Sequence, residues 1–173
     1  MVVRKRLNIK GKALVFVTMT VHKWKAIFSN KTIAEIILNQ LKESLVFFKV
    51  SLVGYVLMPS HLHALLGFEK AELLSKFVQS FKILSAKKVK GIERFNTDDD
   101  SHSRGQFSLW KPRFDDLVIM SENQFKVKLD YIHNNPVKAG LVKKPTDWVN
   151  SSALDWLTDK TGPLQIDKEF RWI

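Results

Sequence analysis

The segment YVLMPSHLHALLGF, residues 55–68, contains two strand-like runs separated by Pro59-Ser60. Proline fixes φ and restricts the backbone of the residue before it, so this dipeptide predicts a tight turn. The flanking runs, Phe47 to Met58 and His61 to Phe68, are rich in apolar and β-branched residues, as strands are. We therefore predict that the two runs pair as a β-hairpin.

Strand-like and helical segments alternate on both sides of this hairpin. Apolar residues recur at three- and four-residue steps in three segments, which is the spacing of a helix buried on one side. The predicted elements are strand Ala13–Thr20, a helix after Asn30, the hairpin, a helix from Ala71 to about Lys90, a strand within Gln106–Met120 that Pro112 interrupts, and helix Ser121–Asn134, which Pro136 ends. This order is typical of ferredoxin-like folds. We expect an α+β fold, a ferredoxin-like split βαβ unit with an antiparallel sheet and helices packed on one face.

Charge and cysteine content narrow the classes of function. The 173 residues include 28 Lys and Arg against 17 Asp and Glu, which gives a net charge of +11. This balance points to a polyanion, most often nucleic acid, although a basic surface without such a partner gives the same count. Because the chain has no cysteine, disulfides, cysteine-ligated zinc and thiolate nucleophiles are excluded. No stretch reaches the ~18 apolar residues of a membrane span, and no secretory signal is evident, so we expect a cytoplasmic protein.

His61 and His63 are candidates for a metal site. Side chains two residues apart on a strand project from the same face, so both imidazoles can converge on one ion while Leu62 faces the core. The alternative is a pair of histidines that simply lie near the end of a sheet. Nucleotide hydrolases of the histidine-triad kind would need another histidine at position 65, where this chain has Leu65.

Tyr131 is a candidate reactive residue on the third predicted helix. Phe125, Leu129 and Ile132 form the apolar stripe of that helix, and Tyr131 lies about 200° around it from Leu129. A tyrosine off the stripe, with Lys128 three residues earlier, could reach a phosphate. The alternative is an ordinary boundary tyrosine with a solvated hydroxyl.

Together these motifs resemble a known family. Residues 55–68 are similar to the region around the His-hydrophobe-His motif of single-tyrosine (HUH) transposases. LWKPRFDDLVI at 109–119, YIHNNPVKAGLV at 131–142 and DWVNSS at 147–152 resemble the REP-associated tyrosine transposase branch. The resemblance extends from about Ala13 to Ser152. It divides the chain into a basic N-terminal arm (1–12), a catalytic domain (13–152) and a C-terminal tail (153–173).

The resemblance implies an enzyme that nicks and rejoins hairpin-bearing single-stranded DNA through a 5′-phosphotyrosine intermediate. It implies that His61 and His63 hold a divalent metal, magnesium or manganese, and that Tyr131 is the nucleophile. Many relatives have a third ligand four residues after the tyrosine, where this chain has Asn135, and His133 is a competing third ligand. Imidazoles would equally suit zinc or other transition metals, so the residues themselves leave the metal open.

Basic and aromatic side chains are candidates for contacts to single-stranded or hairpin DNA. Lysine and arginine contact phosphates, and aromatic rings stack on unpaired bases. The candidates are Arg4, Arg6, Lys82, Lys88, Arg104, Trp110, Lys111, Arg113 and Lys128. Relatives include homodimers with composite sites and monomers, so we expect either a homodimer or a monomer, with no membrane partner.

Three hypotheses for the function follow. The first is a DNA-nicking enzyme of the transposase type. The second is a domesticated protein that holds hairpin DNA without cutting it, and the third is a metal-dependent phosphodiesterase that uses water. A protein that only binds DNA has no chemical need for both histidines and the tyrosine, which favours the first hypothesis.

Overall fold

The computed structural model of this protein describes residues 9–92 and 108–173. In these ranges the strands and α-helices are, in chain order, β1 Ala13–Thr20, α1 Lys31–Phe48, β2 Ser51–Met58, β3 His61–Phe68, α2 Leu74–Lys90, β4 Asp115–Val118, α3 Glu122–Lys138 and α4 Ala153–Leu157. The strands form one antiparallel sheet in the order β2-β3-β1-β4. Because β3 lies between β1 and β2, the arrangement is a split βαβ unit. The predicted α+β, ferredoxin-like fold class is confirmed.

The register between β1 and β3 distributes their side chains over two faces of the sheet. Val17 pairs with Ala64 on the face that α1 and α2 cover. One residue further along β1, Thr18 pairs with His63 on the opposite face. Because successive side chains alternate along a strand, the same two strands supply an apolar core on one side and the histidines on the other.

The layer formed by α1 and α2 is an apolar core. α1 begins after Asn30, whose side chain accepts a hydrogen bond from the backbone N–H of Ile33 at 3.2 Å, as an N-cap does. Ile33 and Ile37 line the buried side of α1, and Phe77 and Phe81 line that of α2. Neither these helices nor any other helix in the described ranges is long and apolar enough to cross a membrane.

The helices pack on both faces of the sheet, which corrects the prediction that they share one face. Leu129 and Ile132 of α3 belong to a buried apolar cluster with Val53 and Val56 of β2, on the side opposite α1 and α2, and β2 is the strand that α3 mainly contacts. β1 is apolar on both faces, so each face needs a cover. The apolar stripe of α3 shows that the helix is buried on one side, but not which side of the sheet it covers.

Two predicted element boundaries are also corrected. Phe47 belongs to α1 rather than to the second strand, and the helix ends at Lys49, which adopts the left-handed conformation (φ 54°) that terminates helices. α3 continues through Pro136 to Lys138. A proline removes one backbone hydrogen bond, but Pro136 is buried, so packing offsets that loss. Gly140, with φ 71°, follows the actual end of the helix.

The strand predicted within Gln106–Met120 is short. Within the described part of this segment, residues 108–120, only Asp115–Val118 pairs with β1 as a strand, beyond Pro112. Trp110 forms an isolated antiparallel bridge with Val21, and the backbone N–H of Lys111 donates to the carbonyl of Thr20 at 2.8 Å, so the segment before β4 follows the same edge of the sheet beyond the interruption at Pro112.

The C-terminal tail packs on β2 and on the α3 side of the sheet. The indole N–H of Trp156 donates to the carbonyl of Val53 at 2.8 Å. Phe170 lies so close to Gly67 that a Cβ at that position would be 2.7 Å from the ring. A glycine is therefore required at position 67 for the tail to approach the sheet.

Candidate active site

His61 and His63 lie at the start of β3, beside the hairpin turn, on the face that α3 covers. Their ring centroids are 4.7 Å apart, with an interplanar angle of 75°. Leu62, between them, is fully buried on the opposite face against the α1 and α2 layer. The structure thus brings the two imidazoles together in the way that the period of a strand predicts.

His63 is buried and held by its neighbours. Oγ1 of Thr18 lies 2.8 Å from Nδ1, and Phe16 stacks on the ring at a centroid distance of 5.5 Å. Burial, then the neighbouring His61 and the Lys128 cation, lowers the pKa of His63 to about 3. The imidazole is therefore neutral at pH 7. In the tautomer whose Nδ1–H donates to Thr18, the Nε2 lone pair faces the Tyr131 hydroxyl on α3.

Ser60 positions His61 in a similar way. The serine Oγ lies 3.1 Å from Nδ1 of His61. Burial lowers the pKa of His61, which favours the neutral ring. The edge of Trp24 contacts this imidazole at a centroid distance of 5.7 Å.

Tyr131 projects from α3 toward the histidines. Leu129 and Ile132 anchor α3 on the sheet, which turns Tyr131 to the side of the helix, where 38% of it is exposed. Its hydroxyl is 3.5 Å from Nε2 of His63, and the two ring centroids are 5.2 Å apart. The tyrosine predicted to lie off the apolar stripe therefore reaches the same point as the histidine pair.

Two lysines place positive charge beside the tyrosine. Nζ of Lys128 lies 4.8 Å from the ring centroid of Phe16 and 5.6 Å from that of Tyr131. Nζ of Lys138 lies 6.0 Å from the Tyr131 centroid. Ammonium groups at these positions can neutralise the charge of a phosphate next to the hydroxyl.

The donor atoms at this point suit a divalent metal with mixed nitrogen and oxygen ligands. Both histidines have a hydroxyl at Nδ1, and such partners typically orient metal-ligating imidazoles. Asn135 lies on α3 one turn after Tyr131 and is half-buried, and its side-chain oxygen is a donor for hard cations. The described residues contain no cluster of three or more His, Cys, Asp or Glu side chains, so a third protein ligand from these residue types is not present there, and the Asn135 amide stays the predicted third ligand.

His133, the competing third ligand, points away from this site. It is buried, and its Nε2 lies 3.0 Å from Oγ of Ser152. Burial lowers the pKa of His133 to about 4, against an opposing effect of Asp130. The ring is a neutral partner in a buried hydrogen-bond network, which leaves Asn135 as the third-ligand candidate.

That network fixes α3 relative to the hairpin. Oγ of Ser152 accepts a hydrogen bond from the backbone N–H of Tyr55 at 2.9 Å, while it also contacts His133. The backbone N–H of Ser152 donates to the carbonyl of Tyr55 at 3.0 Å. The DWVNSS motif at 147–152 therefore connects the helix that carries the tyrosine to the hairpin that carries the histidines.

Lys82, a candidate DNA-binding residue, has a structural role. Its ammonium group donates to the backbone carbonyls of Lys111 and Arg113 at 2.8 and 2.9 Å. These bonds connect α2 to the segment that precedes β4. A phosphate would have to compete with both carbonyls, so we no longer assign Lys82 to DNA.

Trp110, the predicted stacking residue, is buried. Only 5% of it is exposed, and its ring centroid lies 5.3 Å from that of Phe28 and 5.6 Å from that of Phe81. Its indole N–H donates to Oγ of Ser85 at 2.9 Å. A ring packed in this way is not accessible to a base, which corrects its assignment as a stacking residue.

The remaining DNA-binding candidates are spread over the molecule. Lys88 pairs with Glu43 at 2.6 Å in the α1 and α2 layer, on the side of the sheet away from the histidines. Nζ of Lys111 lies 4.3 Å from the ring centroid of Trp24, which brings this lysine to the rim of the site. Lys128 also lies beside the site, next to Tyr131. Arg113 is exposed in the segment before β4. Arg4, Arg6, Arg104 and most of the basic arm lie outside the described residues.

Sequence reasoning missed three neighbours of the site: Thr18, Trp24 and Lys138. Thr18 is identified by its pairing with His63, a register that no local pattern reveals. Lys138 lies seven residues after Tyr131 and shares its side of α3, but a helix that ends before Pro136 does not include it. The signal for Trp24 in the sequence is its position between two lysines, in HKWKA at 22–26.

Comparisons with known proteins identify the family of the chain. The family described as "Transposase IS200 like" matches residues 12–135. A REP-associated tyrosine transposase from Escherichia coli (strain K12) is 34% identical over 71 residues, 35% of this chain and 43% of that protein. The matched region thus spans less than half the length of that relative.

A solved structure extends the comparison to the whole fold. The structure of a REP-associated tyrosine transposase bound to a REP hairpin covers 97% of this chain and 93% of its own, with a TM-score of 0.74 and 20% sequence identity. This similarity shows a shared fold. Since the family match spans most of the chain, the resemblance seen in the motifs is confirmed, and the chain belongs to the IS200-like transposase family.

Proposed function

We propose that this protein is a metal-dependent endonuclease and strand transferase for single-stranded DNA, which nicks and rejoins hairpin-bearing strands through a 5′-phosphotyrosine on Tyr131. One observation carries the proposal: the hydroxyl of Tyr131 lies 3.5 Å from Nε2 of His63, and the His61 ring lies beside that of His63. The helix and the strand that meet here are distant in sequence. In a member of a transposase family, this convergence supports strand cleavage by a tyrosine.

In the proposed reaction, Tyr131 acts as the nucleophile. Its oxygen forms a bond to the phosphorus of the scissile phosphodiester, while the bond from phosphorus to the 3′ oxygen breaks. The phenol proton leaves to solvent and the departing oxygen takes up a proton, which yields a 5′-phosphotyrosine and a free 3′-hydroxyl. Because the covalent link conserves the phosphodiester bond, a second 3′-hydroxyl can reverse the step and join a new strand.

His61, His63 and Asn135 would hold the divalent metal, magnesium or manganese. When bound, the ion would polarise a non-bridging oxygen of the phosphate. The neutral state of His63 supports this role, because imidazole must be deprotonated to bind a metal. Lys128 and Lys138 would bind the remaining charge of the phosphate and orient it toward the tyrosine oxygen.

The proposed partner is a single strand that carries a DNA hairpin. The net charge of +11 and the hairpin bound by the structurally similar transposase support it. We also propose the division into arm (1–12), catalytic domain (13–152) and tail (153–173), a cytoplasmic location, and action as a homodimer or a monomer.

A covalent adduct tests the proposal. The protein would be incubated with manganese and a 3′-labelled single strand that carries a hairpin, and the products separated on a denaturing gel. We expect a protein-linked label that Tyr131→Phe abolishes. Tyr55→Phe is the matched control: Tyr55 is the other tyrosine of the chain, and it is fully buried in the α1 and α2 core, on the face away from the histidines, so the adduct should persist.

Two outcomes would contradict the proposal. Cleavage that survives Tyr131→Phe would indicate a phosphodiesterase that uses water. Tight binding without cleavage, across hairpins and across magnesium, manganese and zinc, would indicate a protein that only holds hairpin DNA.

A further inference from the structure

Trp24 is an exposed aromatic residue at the rim of the site, and the proposed chemistry does not use it. Its exposed fraction is 55%, although large aromatic rings are usually mostly buried. The ring contacts His61 edge-on at 5.7 Å. An exposed indole next to a proposed metal ligand is in a position to touch the substrate.

The backbone holds this ring in place. Lys23 and Trp24 both have left-handed backbone angles, with φ of 56° and 57°, a conformation that is uncommon for residues other than glycine. Hydrogen bonds anchor the turn on both sides: the N–H of His22 donates to Leu109 at 2.9 Å, and that of Phe28 donates to Pro59 at 3.0 Å. The indole is therefore presented by a constrained turn, so little order is lost when a ligand stacks on it.

A cation lies against the ring. Nζ of Lys111 lies 4.3 Å from its centroid, and Lys23 and Lys25 flank it in sequence. An aromatic ring among cations is the combination by which proteins bind single-stranded nucleic acid, because the ring stacks on a base while the cations contact the backbone. An apolar partner protein would be poorly served by the Lys111 ammonium group against this ring.

The ring also has a defined position relative to the chemistry. The centroids of Trp24, His61, His63 and Tyr131 follow one another at 5.7, 4.7 and 5.2 Å. This continuous row of rings runs from the indole to the proposed nucleophile. A base on Trp24 would therefore belong to a nucleotide close to the phosphate that is cut.

We propose that Trp24 stacks on an unpaired base beside the scissile phosphate and that Lys111 contacts the phosphate of the same nucleotide. This inference rests on the proposed function, since it takes single-stranded DNA as the ligand. It assigns Trp24 a positioning role: the stacked base would hold the strand in the register that places one phosphate at Tyr131. Bases differ in stacking strength, so this contact would also contribute a modest sequence preference.

The test compares strands with and without bases. Binding of oligodeoxythymidylate, and of a same-length strand of abasic sites, would be measured with fluorescent labels in Tyr131→Phe protein, so that cleavage does not interfere. We expect Trp24→Ala to weaken binding of the base-bearing strand by about 5- to 100-fold and to leave binding of the abasic strand almost unchanged. Trp24→Phe, which keeps a ring, should retain most of the affinity.

Phe47→Ala is the matched control. Phe47 is also an exposed aromatic residue, at 80%, but it lies on α1, on the other side of the sheet. Its removal should change binding to neither strand. If Trp24→Ala does not fold, as circular dichroism would show, Trp24→Leu provides the same comparison, because leucine keeps apolar volume without a ring.

Three results would overturn the proposal. Equal losses of affinity for both strands would mean that Trp24 supports the fold or the position of Lys111 instead of stacking on a base. Unchanged affinity for both strands would mean that no base stacks on it. A change from dimer to monomer in sedimentation, with unchanged DNA affinity, would make Trp24 a contact between two copies of the chain. This binding assay needs no cleavage, so its result is independent of the adduct assay. A failed adduct assay together with a selective effect of Trp24→Ala would refute the tyrosine chemistry alone. A successful adduct assay without a selective effect of Trp24→Ala would refute the stacking alone.

Discussion

The two faces of the central sheet are built from the same strands but differ in what they bury. On the face under α1 and α2, β1 contributes Val15, Val17 and Met19, all fully buried, so the apolar surface continues along the strand. On the α3 face, the row that begins with Leu14 and Phe16 becomes polar at Thr18, beside the histidines of β3. α3 covers the apolar part of this face and leaves the polar part at its edge. Successive side chains of a strand alternate between the two faces of the sheet. One face of the same sheet can therefore form a packed core while the other leaves polar side chains accessible to a substrate.

The largest expected effect is a loss of strand cleavage when His63, on the α3 face, is replaced. His63→Ala should lower strand cleavage by about 10³-fold or more, because it removes a proposed metal ligand and the ring that faces Tyr131. The adduct assay measures this loss. The free energy of unfolding should change far less than the barrier to cleavage does. A variant that cleaves normally would remove His63 from the site.

The neighbouring residue on the other face should show the opposite behaviour. Leu62→Ala should destabilise the protein by about 2–5 kcal/mol, because it leaves a cavity in the α1 and α2 layer. Denaturant unfolding measures the change, and the folded fraction should still form the adduct. A loss of cleavage in fully folded Leu62→Ala protein would mean that the two faces are not functionally separate.

Loss of the hydrogen-bond network between α3 and the hairpin should have a smaller effect on stability. Ser152→Ala should cost about 1–3 kcal/mol, since the buried N–H of Tyr55 and the ring of His133 lose a partner. Unfolding curves would measure it, with Ser29→Ala, an exposed serine, as the control. If both variants unfold alike, Ser152 does not hold the helix in place.

Thr18, on the α3 face of β1, should affect the affinity of the site for a metal ion. Thr18→Val removes the hydroxyl at Nδ1 of His63 and should weaken manganese binding by about 10-fold, as the loss of an orienting partner does. Titration calorimetry measures the affinity. Thr18→Ser keeps a hydroxyl and should retain it, whereas an equal loss in both variants would point to packing rather than to the hydrogen bond.

The smallest expected effect is on the salt dependence of DNA affinity, and it should differ between a lysine on the α3 face and one on the opposite face. Lys128→Gln should reduce the slope of DNA affinity against salt concentration by about one, because one phosphate contact is lost. Lys88→Gln should leave the slope unchanged, since Lys88 pairs with Glu43 on the far side of the sheet, and an exposed pair of this kind contributes about 1 kcal/mol or less. Equal slopes for the two variants would contradict the assignment of DNA to the α3 face.

Local patterns in the sequence determined much of this protein. The two-residue period of a strand placed His61 and His63 on one face, and the helical period placed Tyr131 off the buried stripe. The order of the elements predicted the split βαβ unit. These properties depend on residues that are close together in the chain, so they can be read from spacing alone.

The tertiary structure decided the rest. It placed α3 on the face opposite α1 and α2, buried Trp110, bound Lys82 to two carbonyls, and set Trp24 beside His61. Each of these outcomes depends on contacts between residues far apart in the chain, such as Trp110 with Ser85 and Ser152 with Tyr55. Periodicity indicates that a side chain will be buried or exposed, but the partner that buries it is chosen only when the distant segments meet, because packing and hydrogen bonding act between neighbours in space.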